Sequence, residues 1–297
     1  PCEVFSRHLE HCDNLGTMLR PRKTALLRIC FVLAVTFTWV LLPAAQTTAP
    51  PAFKWYKGNL HTHTTKSDGD ETPERVMEWF REHGYDWLVI SDHNLRTVAG
   101  AGGPGSDTPL MIPGEEVTVE IEGQERAVYV NAVGISRVVE PINAREVIPT
   151  IQANVNAVLE AGGIVSLTAP YFRPGFDPDS VKEVKGVRLI EIYNAHPMNV
   201  HGDPHTFSYE SIWDAVLGTG KVVYGTATDD SHHYRDFSPE KANPGRAWVM
   251  AHAEELSEEA IVESLSTGNF YASTGVTLEE LDVSRDGISL RVAQDRD

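Results

Sequence analysis

At 297 residues, 41% of them apolar, the chain is long enough for one large α/β domain or two small ones with a sizeable core. Its formal net charge of -17 argues against a surface built to hold long nucleic acid, where a basic stripe is expected. That balance still allows small phosphorylated substrates and a buried site whose local positive charge comes from metal ions.

The first segment does not read as part of a fold. Residues 1–17 contain no Met and are expected to lie upstream of the true start. From Met18, the basic residues Arg20, Arg22, Lys23 and Arg28 precede an apolar run from Ile29 to Leu42 and then Pro43-Ala44-Ala45-Gln46. Basic, apolar and small residues in that order predict a secretory signal peptide over 18–49, cleaved between Ala45 and Ala49, and a secreted or periplasmic product. An uncleaved anchor is the alternative, but the apolar run is short of the ~20 residues that a membrane span needs. Cys2, Cys12 and Cys30 all precede the cleavage region, so the mature chain is expected to have no disulfide and no thiolate ligand. Any metal must then be held by His, Asp and Glu.

From Lys54 onward, short apolar runs alternate with amphipathic segments. Trp55 to His61 reads as a strand. Thr72-Pro73-Glu74 opens a helix with a cap residue and Pro at the first helical position, and Gly84 closes it. Tyr85 to Ile90 is a buried-type strand, followed by a Gly-rich loop from Ala99 to Asp107. Leu110 to Ile121 is strand-like, and Glu122-Gly123 predicts a hairpin into Ala127 to Val133. Asn143 to Leu159 has helical periodicity and ends at Gly162-Gly163. Ile164 to Leu167 is a strand and Asp177 to Val184 a short helix. Val187 to Tyr193 is a strand, Ser208 to Leu217 a helix and Lys221 to Thr226 a strand. Ser257 to Leu265 is a helix capped by Gly268. This alternation predicts an α/β fold with a mainly parallel sheet closed into a barrel over 54–275. A hairpin over Leu278 to Val292, turning at Asp286-Gly287, begins a C-terminal β segment over 276–297.

The polar residues collect at strand ends. His61 and His63 end the first strand, with Asp68 just downstream; in extended chain, residues i and i+2 share a face and can converge on one ion. Asp92 and His93 end the second strand, and Glu115 and Glu116 follow Pro113-Gly114. Asn194 and His196 end a later strand, and Asp230 with His232 the next. In a parallel barrel, strand C-termini gather on one face, and five ends bearing His or acid there make a metal site. Imidazole and carboxylate ligands suit zinc, manganese or iron. Glu115 competes with Glu116, and Asp229 and His233 compete with Asp230 and His232, the Asp-x-His spacing favouring the latter pair. Asp92 is expected to orient a ligand rather than bind an ion.

His61-x-His63, Ser67-Asp68-Gly69, Ser91-Asp92-His93, Gly114-x-Glu116 and Asp230-x-His232 resemble the ordered motifs of the PHP (polymerase and histidinol phosphatase) superfamily, from about Trp55 to Gly275. Lys221 to His233 and Leu265 to Ser273 look like the branch that includes bacterial carbaryl hydrolases. The resemblance implies a distorted (β/α)7 barrel that holds two or three divalent metal ions and hydrolyses phosphoesters. It also implies that His61, His63, Glu116 and Asp230 hold one ion and that Asp68, His93 and His232 hold another, with Glu116 bridging to a further one. One position departs: the residue before Pro170 is Ala169, where the family usually has His. Either that ion is absent or His196, His201 or His205 replaces the ligand, His196 being the best placed.

The expected chemistry is hydrolysis by a water whose pKa is lowered by the ions, with no protein nucleophile. The expected substrate is a small phosphoester. Carboxyl-ester or carbamate hydrolysis on the same site is the alternative, and a binding protein that keeps its metals without turnover is the rival of another class.

Overall fold

The computed structural model describes residues 53–100, 102–103, 105–168, 181–200 and 208–293. The expected signal peptide, Ala169, His201, His205 and residues 177–180 of the predicted helix from Asp177 to Val184 lie outside the described residues. Among the described residues no helix is long and apolar enough to cross a membrane.

Strand β1 (Lys54–Asn59) is followed by helix α1 (Pro73–Glu82). The Thr72 side chain accepts a hydrogen bond from Arg75 N–H and Pro73 fills a position whose N–H needs no partner, so the helix starts where the sequence predicts. Its inner face, Val76, Met77 and Phe80, is buried against Leu88, Ile90 and Trp248. Strand β2 (Trp87–Val89) runs parallel to β1, and β3 (Leu110–Ile112) runs parallel to β2. Trp87 lies directly over Gly58: a Cβ at that glycine would stand 2.0 Å from the indole ring.

The single strand expected over Leu110 to Ile121 is two. Pro113 has no N–H to continue a ladder, and the chain changes sheets there. Residues before it pair with β2, whereas β4 (Gly114–Glu120) pairs antiparallel with β5 (Ala127–Val133) through the predicted turn, closed by Ile121 N–H to Arg126 O at 2.9 Å. Helix α2 (Val147–Glu160) begins later than its periodicity suggests. Asn143 is spent on the preceding loop, where its side chain accepts from Arg145 N–H and donates to Glu120 O. Strands β6 (Ile164–Thr168), β7 (Leu189–Asn194) and β8 (Tyr224–Thr228) complete this sheet, with the short helix α3 (Pro197–Val200) and helix α4 (Tyr209–Leu217) between β7 and β8.

Two strands escaped the sequence reading. β9 (Trp248–Ala253) runs antiparallel to β1, and β10 (Phe270–Ser273) runs antiparallel to β9. Helix α5 (Glu258–Thr267) between them ends at Gly268, whose φ of 76° is the left-handed conformation a C-cap glycine supplies. The predicted hairpin is present as β11 (Leu278–Val283) and β12 (Ile288–Val292).

The fold is therefore α/β, but the strands form two mixed five-stranded sheets, β10-β9-β1-β2-β3 and β4-β5-β6-β7-β8. The expected mainly parallel, closed barrel is not found among the described residues: the tight β4–β5 turn forces antiparallel pairing, because a parallel pair needs a crossover of a dozen residues or more. The two sheets share a core of Leu60, Trp87, Val133, Leu189 and Val249. Beyond the C-terminal ends of β1 and β2 they touch through two isolated parallel bridges, Thr62 with Ser231 and His93 with Glu116. Those bridges set the site.

Candidate metal centre

Each bridge carries site residues from one sheet to the other. His63 N–H donates to Ser231 O at 2.9 Å, Ser91 N–H to Thr62 O at 2.8 Å, and Asn94 N–H to Glu116 O at 3.0 Å. Extended backbone from Asn59 to Thr64 turns His61 and His63 the same way. A cavity of about 350 Å³ is lined by His61, His63, Asp68, His93, Glu116, His196, Asp230 and His232, together with His233, Thr118, Tyr129, Thr168 and Met198.

Two groups of ligand atoms converge inside it. His61 Nε2 lies 3.2 Å from Asp230 Oδ1 and 3.4 Å from Glu116 Oε1, and His63 Nε2 lies 3.4 Å from both Glu116 Oε2 and Asp230 Oδ1. In the second group, Asp68 Oδ1 is 3.4 Å from His232 Nε2 and from His63 Nδ1, and Asp68 Oδ2 is 3.5 Å from His93 Nε2. Ligand atoms about 2.1 Å from one ion, at angles between octahedral and tetrahedral, are separated by about 3.0–3.4 Å. The Nε2–carboxylate spacings, 3.2 to 3.5 Å, lie at or just past the upper end of that range. His61 Nε2 and His63 Nε2 are buried without a hydrogen-bond partner, which is costly unless an ion takes their lone pairs. The donor set fits a divalent cation in each group.

Hydrogen bonds on the far side of each ring fix which nitrogen faces inward. His61 Nδ1 bonds Glu191 Oε1 at 2.7 Å, and His232 Nδ1 bonds the Asp230 carbonyl at 2.8 Å. His93 Nδ1 bonds Thr118 Oγ1 at 2.7 Å, and His63 Nδ1 bonds Ser67 Oγ at 3.3 Å. A carboxylate and a carbonyl can only accept. Both hydroxyls already have acceptors for their own protons, Glu116 O and Asp92 Oδ1. With ions bound, these partners would favour a proton on Nδ1 and leave the Nε2 lone pairs for the ions; His63 Nδ1 and His93 Nδ1 also face Asp68 and Glu116, at 3.4 and 3.1 Å.

Electrostatics follow from the crowding. Burial opposes charge on His61, yet the carboxylates of Asp230, Glu191 and Glu116 hold it well above its ordinary value. Burial likewise works against His232, and Asp68 and Asp230 carry it up to about 9. His63 is pushed down by its burial and by His232, whose ring stacks 4.2 Å away. Burial would raise Asp68 and Asp230, but the surrounding imidazoles hold both well below the usual carboxylate range.

Of the competing residues, Glu115 and Asp229 turn away, whereas His233 lines the cavity beside His232. Glu115 alternates away from Glu116 and accepts from Val139 N–H at 2.6 Å. Asp229 turns from the cavity to accept from Gly245, Arg246 and Ala247 N–H and from Asn59 Nδ2. Asp230 reaches inward because its backbone adopts a φ of 48°. Asp92 stands behind the cavity. It accepts from Thr64 N–H, Thr64 Oγ1, Ser67 Oγ and Thr97 Oγ1 and so braces the loop that carries Asp68. His196 lines the cavity but belongs to neither ligand group. Sequence reasoning missed Glu191, which is fully buried and accepts from His61, Thr168, Thr228 and Asn194. Its signal was present: a lone carboxylate inside the apolar strand Leu189–Asn194.

No protein-family model matches the chain, and no curated protein does. Among solved structures, the chain is similar to a two-domain protein from Bacteroides vulgatus containing a predicted PHP-like metal-dependent phosphoesterase. The TM-score is 0.53 at 17% identity, over 81% of this chain and 76% of that one. An amidohydrolase from Chromobacterium violaceum aligns with TM-score 0.39 at 14% identity, over 63% of this chain and 93% of that one. The lesion-specific endonuclease EndoQ from Pyrococcus furiosus aligns with TM-score 0.44 at 11% identity, over 74% and 58%. At scores below 0.5 these two add nothing to the argument. The likeness to the Bacteroides protein is one of fold, and nothing in it singles out the carbaryl-hydrolase branch.

Proposed function

We propose that the protein is a metal-dependent hydrolase, and that its substrate is a small phosphoester. The observation that carries this reading is the convergence of four Nε2 atoms with Asp68, Glu116 and Asp230 at spacings close to those of metal coordination polyhedra. In this reading His61, His63, Glu116 and Asp230 would hold one ion, and Asp68, His93 and His232 would hold a second. Bound there, divalent ions supply a water acidified towards neutral pH and neutralise charge that develops on the substrate oxygen. The protein groups hold and orient. Glu191 keeps His61 in the ligating tautomer, Asp92 holds the Asp68 loop, and Asn194 donates to both Glu191 and Asp230, tying β7 to the end of β8.

Zinc, manganese and iron all suit this donor set. The reading includes export, on the basic-apolar-small order of residues 18–49. The charge of -17 weighs against long nucleic acid as substrate. Elemental analysis of the purified chain, followed by assays of the reconstituted protein on a nitrophenyl phosphate diester and a naphthyl carbamate, tests the reading. Two ions per chain with faster phosphodiester cleavage is the expected result. Preference for the carbamate would move the substrate class, and metal binding without turnover on either would leave a binding protein.

A further inference from the structure

Six imidazoles line the cavity, and His196 is wired in reverse to the four that converge on the carboxylates. Its Nδ1 accepts from the backbone N–H of Met198 at 3.2 Å. A backbone amide can only donate, so Nδ1 carries the lone pair and the ring proton sits on Nε2. With ions bound, the four rings that converge on the carboxylates would do the opposite, donating through Nδ1 to Glu191, Ser67, Thr118 and the Asp230 carbonyl. A nitrogen that holds a proton cannot give a lone pair to an ion.

The placement is locked on every side. His196 N–H donates to Asn194 Oδ1 at 2.9 Å, and Asn199 N–H donates to His196 O at 2.8 Å. Asn194 in turn spends its amide protons on Glu191 and Asp230, each at 3.1 Å, so the position of His196 is referenced to the site itself. Its ring packs edge-on to His232, with centroids 5.5 Å apart, and lines the same cavity. With backbone and Nδ1 engaged, Nε2–H has no partner among the described residues and is left to meet a ligand.

We propose that His196 is a hydrogen-bond donor to the substrate, its Nε2–H meeting an oxygen of the ester bound beside the ions, and that it holds no metal. The proposal rests on the hydrolase reading above and names which cavity group would contact the substrate. No proton need leave the ring: the contact stabilises negative charge on that oxygen as an oxyanion-hole donor does.

The test compares the parent with His196→Ala and His196→Gln, the latter retaining an N–H donor. Zinc content per chain is expected to be equal in all three. kcat/KM on the nitrophenyl phosphate diester is expected to fall about 10- to 100-fold in His196→Ala, mostly in kcat, and to recover largely in His196→Gln. Nitrogen-15 NMR of the zinc-loaded parent should report the His196 proton on Nε2. Loss of a zinc equivalent in His196→Ala, an Nδ1–H signal, or unchanged kcat/KM in a folded His196→Ala would each overturn the proposal. If the parent binds zinc but cleaves no ester, the hydrolase reading fails instead, and the zinc counts and the NMR tautomer still decide whether His196 is a ligand.

Discussion

Glu191→Gln is the sharpest test of how the metal site is built, because it changes one oxygen to NH2 at nearly constant volume. Glu191 Oε1 accepts from His61 Nδ1 and Thr228 Oγ1, each at 2.7 Å, and Oε2 accepts from Thr168 Oγ1 and from Asn194 Nδ2 at 3.1 Å. Glutamine cannot satisfy this set in either orientation. With its NH2 toward His61, the imidazole must move its proton to Nε2 and lose its ligating lone pair. With its NH2 toward Asn194, two donors oppose each other in a site with no exposure at Glu191. One charge-assisted hydrogen bond lost in that setting is about 1.5–3 kcal/mol, and outer-shell changes of this kind weaken metal binding about 10–100-fold. Competition with a chromogenic zinc chelator would measure both ions in parent and E191Q. The expected outcome is one ion weakened by that factor, with the ion at Asp68, His93 and His232 unchanged. Equal affinities for both ions in a folded E191Q would refute the reasoning that Glu191 sets the His61 tautomer.

Three other outcomes follow from the same structure. In the metal-free chain the raised pKa of His232 stabilises the fold fully below about 6.5, its unfolded value, and that contribution is lost as pH climbs through about 9. Zinc must displace those protons, so calorimetry at pH 7 in buffers of different ionisation heat should show proton release, and a buffer-independent heat would contradict the assignment. Asp92→Ala leaves the donors of Thr64, Ser67 and Thr97 unpaired, so chemical denaturation should show a loss of about 2–4 kcal/mol, with the ion at Asp68 bound more weakly. Gly58→Ala drives a methyl into the Trp87 ring and should lower stability by about 1–3 kcal/mol, seen as a drop in Tm; an unchanged Tm would mean that β1 and Trp87 separate freely.

Much of the site was legible because its signals are local. The i, i+2 spacing of His61 and His63 follows from strand geometry alone, and the ends of α1 and α5 follow from Thr72, Pro73 and Gly268. The two sheets were not legible, because β9 joins β1 through partners almost 200 residues away, such as Gly58 with Val249, and β10 enters the sheet only by pairing with β9. Pro113 marked the break in the strand over Leu110 to Ile121, but only the partners on either side turn that break into a change of sheet.

The residue types and spacings by themselves pointed to the proposed chemistry: imidazoles and carboxylates at successive strand ends, no cysteine after Cys30, and an acidic chain. Tertiary structure alone decided which member of each acidic pair faces inward, since alternation along a strand defines two faces without saying which one the opposite sheet will cover. It alone supplied Glu191, which meets His61 across 130 positions of sequence. It alone separated the four histidines that converge on the carboxylates from His196. The position of a proton on an imidazole depends on the partner its other nitrogen meets, and that partner is chosen by the fold.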